Sequence, residues 1–124
     1  MQQQANEAYQ QAAKQTSSQS ELEAHLLSKS ARDLQNIQSN WESSKTDLDR
    51  VLTYNRKLWT IFLEAVTRQD SPLPREIRQN VANLGIFIMN ETLRIQSAPA
   101  PEKLEVLINI NRQIALGLLD NPKN

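Results

Sequence analysis

Cysteine is absent from this 124-residue sequence, glycine occurs twice and histidine once. Without cysteine there is no disulfide framework, no thiolate nucleophile and no cysteine-ligated metal. Two glycines cannot build a glycine-rich phosphate loop. The lone His25 would need distant carboxylates to hold a metal, and Glu21 and Glu23, two residues apart, do not share a helix face. The sequence therefore predicts no enzyme, no cofactor and no metal site.

Long apolar runs are also absent. None approaches the roughly 20 residues of a membrane-spanning helix. The first residues, MQQQANEAYQQAAKQT, lack the basic start and apolar core of a secretory signal. We therefore expect a cytoplasmic protein without membrane insertion.

Neither sign of charge is in excess, since 14 basic residues balance 14 acidic ones. Residues 1–49 carry seven acidic and four basic residues, whereas residues 50–94 carry seven basic and four acidic ones. This asymmetry is too mild for a nucleic-acid-binding surface. Direct nucleic-acid binding is therefore not expected.

Strand-type alternation is missing, and Gln, Asn, Leu, Ala, Glu and Arg dominate. This composition favours an all-α fold. We predict a single domain over residues 1–124, built as a bundle of four or five helices with a long bent helix and a C-terminal helical pair. Residues 1–17 are expected to form a loosely docked N-terminal helix, residues 18–119 the bundle core and residues 120–124 a disordered tail. The capping pairs Ser18–Glu21 and Ser20–Glu23 predict an interruption between the first two segments.

A helical hairpin is predicted over residues 54–90, around which the rest of the chain is organised. Pro74 starts a helix but cannot continue one, so it separates two stretches of helical period. Each stretch has one apolar face, formed by Leu58, Trp59, Phe62 and Val66 in the first and by Ile77, Val81, Leu84 and Ile88 in the second. The first helix is expected to end near Arg68, and the second to run from about Pro74 to Ser97. Gly85 within it indicates a close crossing by another helix.

The segment before the hairpin keeps an apolar helical stripe from residue 22 to residue 52. Weak helix formers interrupt it near Asn40, so either one long helix bends or two helices meet between residues 40 and 45. We predict a long helix with a kink. Large side chains seven residues apart could form a coiled-coil seam between two copies, although packing within the chain is favoured. They are Leu27, Leu34, Trp41 and Leu48.

The last helix is expected to open at Pro101 and Glu102, after SAPAP. Apolar residues in the last two helices occupy more than one face. This excess indicates either a central helix or an apolar groove for a partner helix, and the groove is favoured. The repeated asparagines in these helices are equally consistent with a buried hydrogen-bond network and with a polar ladder along such a groove. They are Asn80, Asn83, Asn90, Asn109 and Asn111.

Three long runs, YNRKLWTIFL, LPREIRQNVANLGIFIMN and EKLEVLININRQIALGL, resemble the flagellar protein FlaF of alphaproteobacteria. The resemblance covers roughly residues 9–118. It implies a cytosolic protein devoted to flagellin, linked to flagellin synthesis and export and acting after transcription, in partnership or in opposition with the flagellar regulator FlbT.

The resemblance and the apolar excess together suggest a cytosolic chaperone or export factor. It would shield a terminal helical segment of unassembled flagellin in the groove and couple flagellin supply to synthesis. The alternative is a post-transcriptional regulator acting through flagellin mRNA or FlbT, supported by the cations of the middle segment, for which RNA binding would fall steeply with salt. Trp59 is more readily explained as a core residue, but it is also a candidate anchor. The candidate flagellin-binding residues are Arg56, Trp59, Phe62, Asn83, Phe87, Ile110, Asn111, Arg112 and Ile114.

Overall fold

The computed structural model describes the backbone of residues 2–70 and 74–119, and the side chains of residues 20–70 and 74–119. All regular structure in these residues is helical, which confirms the all-α prediction. Four long helices form the bundle, and a short helix and two 3₁₀ turns connect them. The elements are α1 (Gln2–Ser39), α2 (Trp41–Ser44), a 3₁₀ turn (Lys45–Asp47), α3 (Leu48–Thr67), α4 (Arg75–Ser97), a 3₁₀ turn (Pro101–Leu104) and α5 (Glu105–Leu119).

The first helix is continuous, so the predicted interruption at TSSQSELE is wrong. Serine is a weaker helix former than alanine by only about 0.5 kcal/mol, and strong helix formers flank it. Buried residues further along, including Ala24 and Leu27, anchor α1 against the core. The side chains of residues 1–19 and the tail at residues 120–124 lie outside the described residues, so the loose docking of residues 1–17 and the disorder of the tail remain predictions.

The chain reverses direction between α1 and α3, so the predicted long bent helix is also wrong. Ser30 Oγ donates a hydrogen bond to Asn55 Oδ1 at 2.9 Å, and Lys29 Nζ lies 5.0 Å from the centre of the Tyr54 ring. Because only residues 40–47 connect the two helices and side chains 25 residues apart still touch, α1 and α3 form an antiparallel pair. At the reversal Asn40 leaves helical geometry, with φ −125° and ψ 46°, and its side-chain amide donates to the Asn36 carbonyl. An amide that bonds its own backbone in this way favours a helix end.

The large side chains spaced seven residues apart pack in the core of this single chain. Leu27, Leu34 and Leu48 are buried in the core, and Trp41 packs partly buried against it. The favoured packing within the chain is therefore confirmed. A homodimer through this seam would require the core to open.

The predicted hairpin of α3 and α4 is present. Arg78 Nη1 donates to the Arg68 carbonyl at 3.3 Å across the connection, and the two helices pack along their lengths. The two helices approach closely at Gly85, since an added Cβ would lie only 2.5–2.7 Å from three side-chain atoms of Leu63. The close crossing predicted at Gly85 is confirmed.

Helix α5 lies antiparallel along α1. Gln38 Nε2 donates to Glu105 Oε2 at 3.0 Å, and Arg112 hydrogen-bonds Gln35 one turn earlier on α1. By contrast, α5 makes only sparse contacts with α4. The core fills the space between α1, α3, α5 and the inner face of α4. Its largest fully buried apolar residues are Trp59, Leu27, Leu34, Leu52, Ile88, Ile95, Leu104, Leu107 and Ile108.

Candidate partner-binding groove

The sparse contact between α4 and α5 leaves an open groove of about 570 Å³ along the outer side of α5. Partly buried apolar side chains line it, and charged and amide side chains surround them. The apolar residues are Leu84, Val106, Ile110 and Ile114. The polar residues are Glu91, Glu102, Lys103, Glu105, Asn109 and Gln113.

Two apolar stripes on α5 produce this groove. One stripe, which includes Leu107, Ile108 and Ala115, is buried in the core. The other consists of Val106, Ile110 and Ile114, whose spacing of four residues places them on a neighbouring face. A helix at the edge of a small bundle buries only one such stripe, so the second is left partly exposed.

Two of the sequence-predicted site residues, Ile110 and Ile114, line the groove. Phe87 does not line the groove, although it is 41% exposed on the same helix as Leu84 and Glu91. Of the nine candidate residues, the groove therefore brings together only Ile110 and Ile114.

Three other candidates, Trp59, Phe62 and Asn111, are buried in the core and cannot line a groove in this structure. Helix α3 packs on α4 and α1, and Trp59 reaches α5 through its hydrogen bond to Asn111, so these side chains stabilise the bundle. The Trp59 and Phe62 rings meet edge to face, with centroids 5.4 Å apart.

The remaining candidates, Arg56, Asn83 and Arg112, are exposed but do not line the groove. Arg112 lies on the side of α5 that faces α1, where it hydrogen-bonds Gln35. The Asn83 side-chain carbonyl accepts from Gln79 Nε2 at 3.1 Å on its own helix.

A buried hydrogen-bond network joins α1, α3 and α5. Asn55 Oδ1 accepts from Ser30 Oγ at 2.9 Å and from Asn111 Nδ2 at 2.7 Å. Trp59 Nε1 donates to Asn111 Oδ1 at 2.8 Å. All four side chains are fully buried. The predicted buried hydrogen-bond network of asparagines is therefore confirmed for Asn111. The indole nitrogen of Trp59 has its hydrogen-bond partner in the core.

Asn55, the centre of this network, is not among the asparagines that the sequence pattern singles out, although it follows Leu52 by three residues and precedes Trp59 by four. That position on the buried face was the available signal. The other repeated asparagines, Asn80, Asn83, Asn90 and Asn109, are exposed. The Asn55 Nδ2 group is buried without a hydrogen-bond partner.

The groove also contains residues that sequence reasoning did not select. Leu84 had been placed in the core stripe of α4, and Val106 was not considered, although it precedes Ile110 by four residues. The acidic residues Glu91, Glu102 and Glu105 gave no signal in the sequence, because only the packing of α4 beside α5 brings them to one groove.

Among the side chains of residues 20–70 and 74–119, no group of three or more His, Cys, Asp or Glu residues is arranged to hold a metal ion. In the same part of the chain, no helix combines the length and apolar character needed to cross a bilayer.

The fold and its groove define an all-α bundle with an unpartnered apolar cleft at its side. The family model for the flagellar protein FlaF matches residues 5–118, and the chain therefore belongs to the FlaF family. The resemblance seen in the three sequence runs is thereby confirmed, and the protein is a flagellum-related one. Comparison with curated proteins and with solved structures found no match.

Proposed function

We propose that this protein is a cytoplasmic chaperone or export factor for flagellin. It binds a terminal helical segment of unassembled flagellin in the groove between α4 and α5 and shields the apolar face that would otherwise polymerise. Occupancy of the groove would couple flagellin supply to its synthesis, with FlbT as a second partner. Membership of the FlaF family supports the flagellar role.

The single observation that carries the proposal is the partly exposed apolar stripe of Val106, Ile110 and Ile114 opposite Leu84. From Glu105 to Ile114 the groove follows roughly 14 Å of helix, which matches two to three turns of a partner helix. An amphipathic helix presents apolar residues at i, i+3, i+4 and i+7 over that length. The groove therefore has the length and the surface chemistry for such a helix.

The test is a calorimetric titration of the full-length protein with monomeric flagellin and with peptides from its two terminal helices. We expect one terminal peptide to reproduce most of the flagellin affinity, with a negative heat-capacity change from apolar burial. A double variant, Ile110→Ala with Ile114→Ala, should weaken binding about tenfold or more. It should also lose the ability to delay flagellin polymerisation, followed by light scattering.

The matched control is Leu93→Ala with Leu116→Ala, which removes two exposed leucines outside the groove. It should leave flagellin affinity unchanged. If flagellin binds equally well to the groove variant and to the wild type, and circular dichroism shows that both remain folded, the groove does not hold flagellin.

The alternative function, regulation through flagellin mRNA, is favoured by a set of exposed cations on α3 and α4. They are Arg50, Arg56, Lys57 and Arg75. Three glutamates beside the apolar groove oppose RNA binding there. An affinity for flagellin mRNA that falls steeply with salt and is lost on Arg56→Gln with Lys57→Gln, but not on the groove substitutions, would support this alternative.

A further inference from the structure

The two ends of the groove differ in charge. At the end formed by the second half of α4 and the start of α5, the lining includes Glu91, Glu102 and Glu105. At the other end, the lining residues Leu84, Gln113 and Ile114 carry no charge. An occupant that fills the whole groove therefore meets carboxylates at one end only.

Among the described residues, Lys103 is the one cation that lines the groove, and it is held at the turn before α5. Its Nζ donates to the Ala98 carbonyl oxygen at 2.6 Å, which directs the ammonium group toward the backbone of the α4–α5 connection. Glu105 accepts a hydrogen bond from Gln38. The three carboxylates at this end outnumber the single ammonium group of Lys103. The acidic end therefore keeps a net negative charge.

Glu91 is the least exposed of the three carboxylates that line the groove. Its side chain is 19% exposed, and Oε1 lies 3.5 Å from Nη1 of Arg94, whose own side chain is 77% exposed. An arginine that extends into water in this way compensates a covered carboxylate only weakly. A second cation that reached Glu91 from within the groove would be screened less by solvent than one at the surface.

We propose that the groove selects an amphipathic helix carrying a lysine or arginine beside its apolar stripe, and that this cation pairs with Glu91 at the acidic end. The inference rests on the proposed function, since it assigns the chemistry of the helix that occupies the same groove. Ile110 and Ile114 supply the apolar contact, and Glu91 sets the charge and the position of the occupant along the groove. A helix with the same apolar stripe but glutamate at that position would be rejected by like-charge repulsion.

The first experiment uses two synthetic helical peptides that share one apolar stripe and differ only in having lysine or glutamate beside it. The wild-type protein should bind the lysine peptide about tenfold more tightly than the glutamate peptide at low salt. In Glu91→Gln this preference should fall about fivefold, and the salt dependence of lysine-peptide binding should shrink. Equal affinity of the wild-type protein for the two peptides would overturn the inference.

The control is Glu64→Gln, which removes an exposed carboxylate on α3 that does not line the groove, and it should keep the full preference. Circular dichroism verifies that each variant is folded. If Glu91→Gln does not fold, Glu102→Gln at the rim tests the same idea. It should lower the preference by about two- to threefold, and an unchanged preference would contradict the inference.

Titration with monomeric flagellin separates failure of this inference from failure of the proposed function. If flagellin binding depends on Ile110 and Ile114 but is unchanged in Glu91→Gln, the groove holds flagellin and the charge selection is wrong. If flagellin does not bind at all while the lysine peptide is still preferred through Glu91, the selection stands and the proposed flagellin partner is wrong.

Discussion

Ile108 and Ile110 lie two residues apart on α5, yet Ile108 is buried in the core whereas Ile110 is partly exposed in the groove. The same contrast extends along the helix. On the core side, the buried Asn111 side chain is hydrogen-bonded to α3, and on the groove side the apolar residues lack a facing layer. One face of α5 therefore stabilises the fold, and the adjacent face is available to a partner. We therefore expect substitutions on the core face of α5 to lower stability and substitutions on its groove face to weaken partner binding.

The largest effect that tests this comparison is expected from truncating the two isoleucines one at a time. Ile108→Ala should lower the free energy of unfolding by about 3–4 kcal/mol, because it opens a cavity in a packed core. Ile110→Ala should cost about 1 kcal/mol, since its side chain is already partly in water. Chemical denaturation monitored by circular dichroism measures both values.

Binding should be affected in the opposite order. Ile110→Ala is expected to weaken the flagellin complex more than Ile108→Ala does, when both are measured at a temperature where each variant is folded. Equal stability losses in the two variants would show that the groove side is packed like the core, and the division of α5 into two faces would then be wrong.

A smaller effect is expected from the asparagines on either side of Ile110. Asn111→Ala should destabilise the protein by about 2–3 kcal/mol, because it leaves the buried Trp59 N–H without an acceptor and removes a donor to Asn55. Asn109→Ala, at an exposed position, should change stability by less than about 0.5 kcal/mol. Urea unfolding curves of both variants provide the comparison, and a neutral Asn111→Ala would mean that the network contributes little to stability.

The smallest effect is expected from the two glycines, which extend the comparison to helix packing. Gly85→Ala should destabilise by about 1 kcal/mol, because overpacking against Leu63 exceeds the gain in helix propensity. Gly117→Ala, which has open space around it, should be neutral or stabilising by up to about 1 kcal/mol. Thermal unfolding measures both changes.

The double variant Leu63→Ala with Gly85→Ala isolates the contact. Its loss of stability should be smaller than the sum of the two single losses, since the shortened residue makes room for the added methyl group. Strict additivity would show that Leu63 is not the cause of the Gly85 requirement.

Much of the fold was predictable because its signals are local. The apolar stripes of α3 and α4, the prolines between them and the close crossing at Gly85 all depend on residues near one another in the chain. The errors arose where local signals compete. Ser18 and Ser20 predict a helix start, yet they lie within α1, and Asn40 predicts a kink, yet it follows the end of α1. Serine and asparagine occur at caps, in turns and inside helices, so the residue type alone does not distinguish these positions.

The site was predictable only in part, for the same reason. Ile110 and Ile114 were found because α5 has more apolar residues than one face requires. Trp59, Phe62 and Asn111 were misplaced, since a large aromatic or an amide on an apolar face is compatible with a core position or an interface until its neighbours are known.

The helices, their approximate ends and the apolar faces of α3, α4 and α5 follow from residue types and spacing along the chain, because backbone geometry links a helical period directly to a shared face. Spacing does not specify which of two adjacent apolar stripes a helix buries. That choice depends on how α1 and α3 pack against α5 and on how far α4 stands from it. The same packing brings Glu91 of α4 to the groove that Glu102 and Glu105 also line. The closed core, the open groove and its acidic end are therefore properties of the assembled bundle.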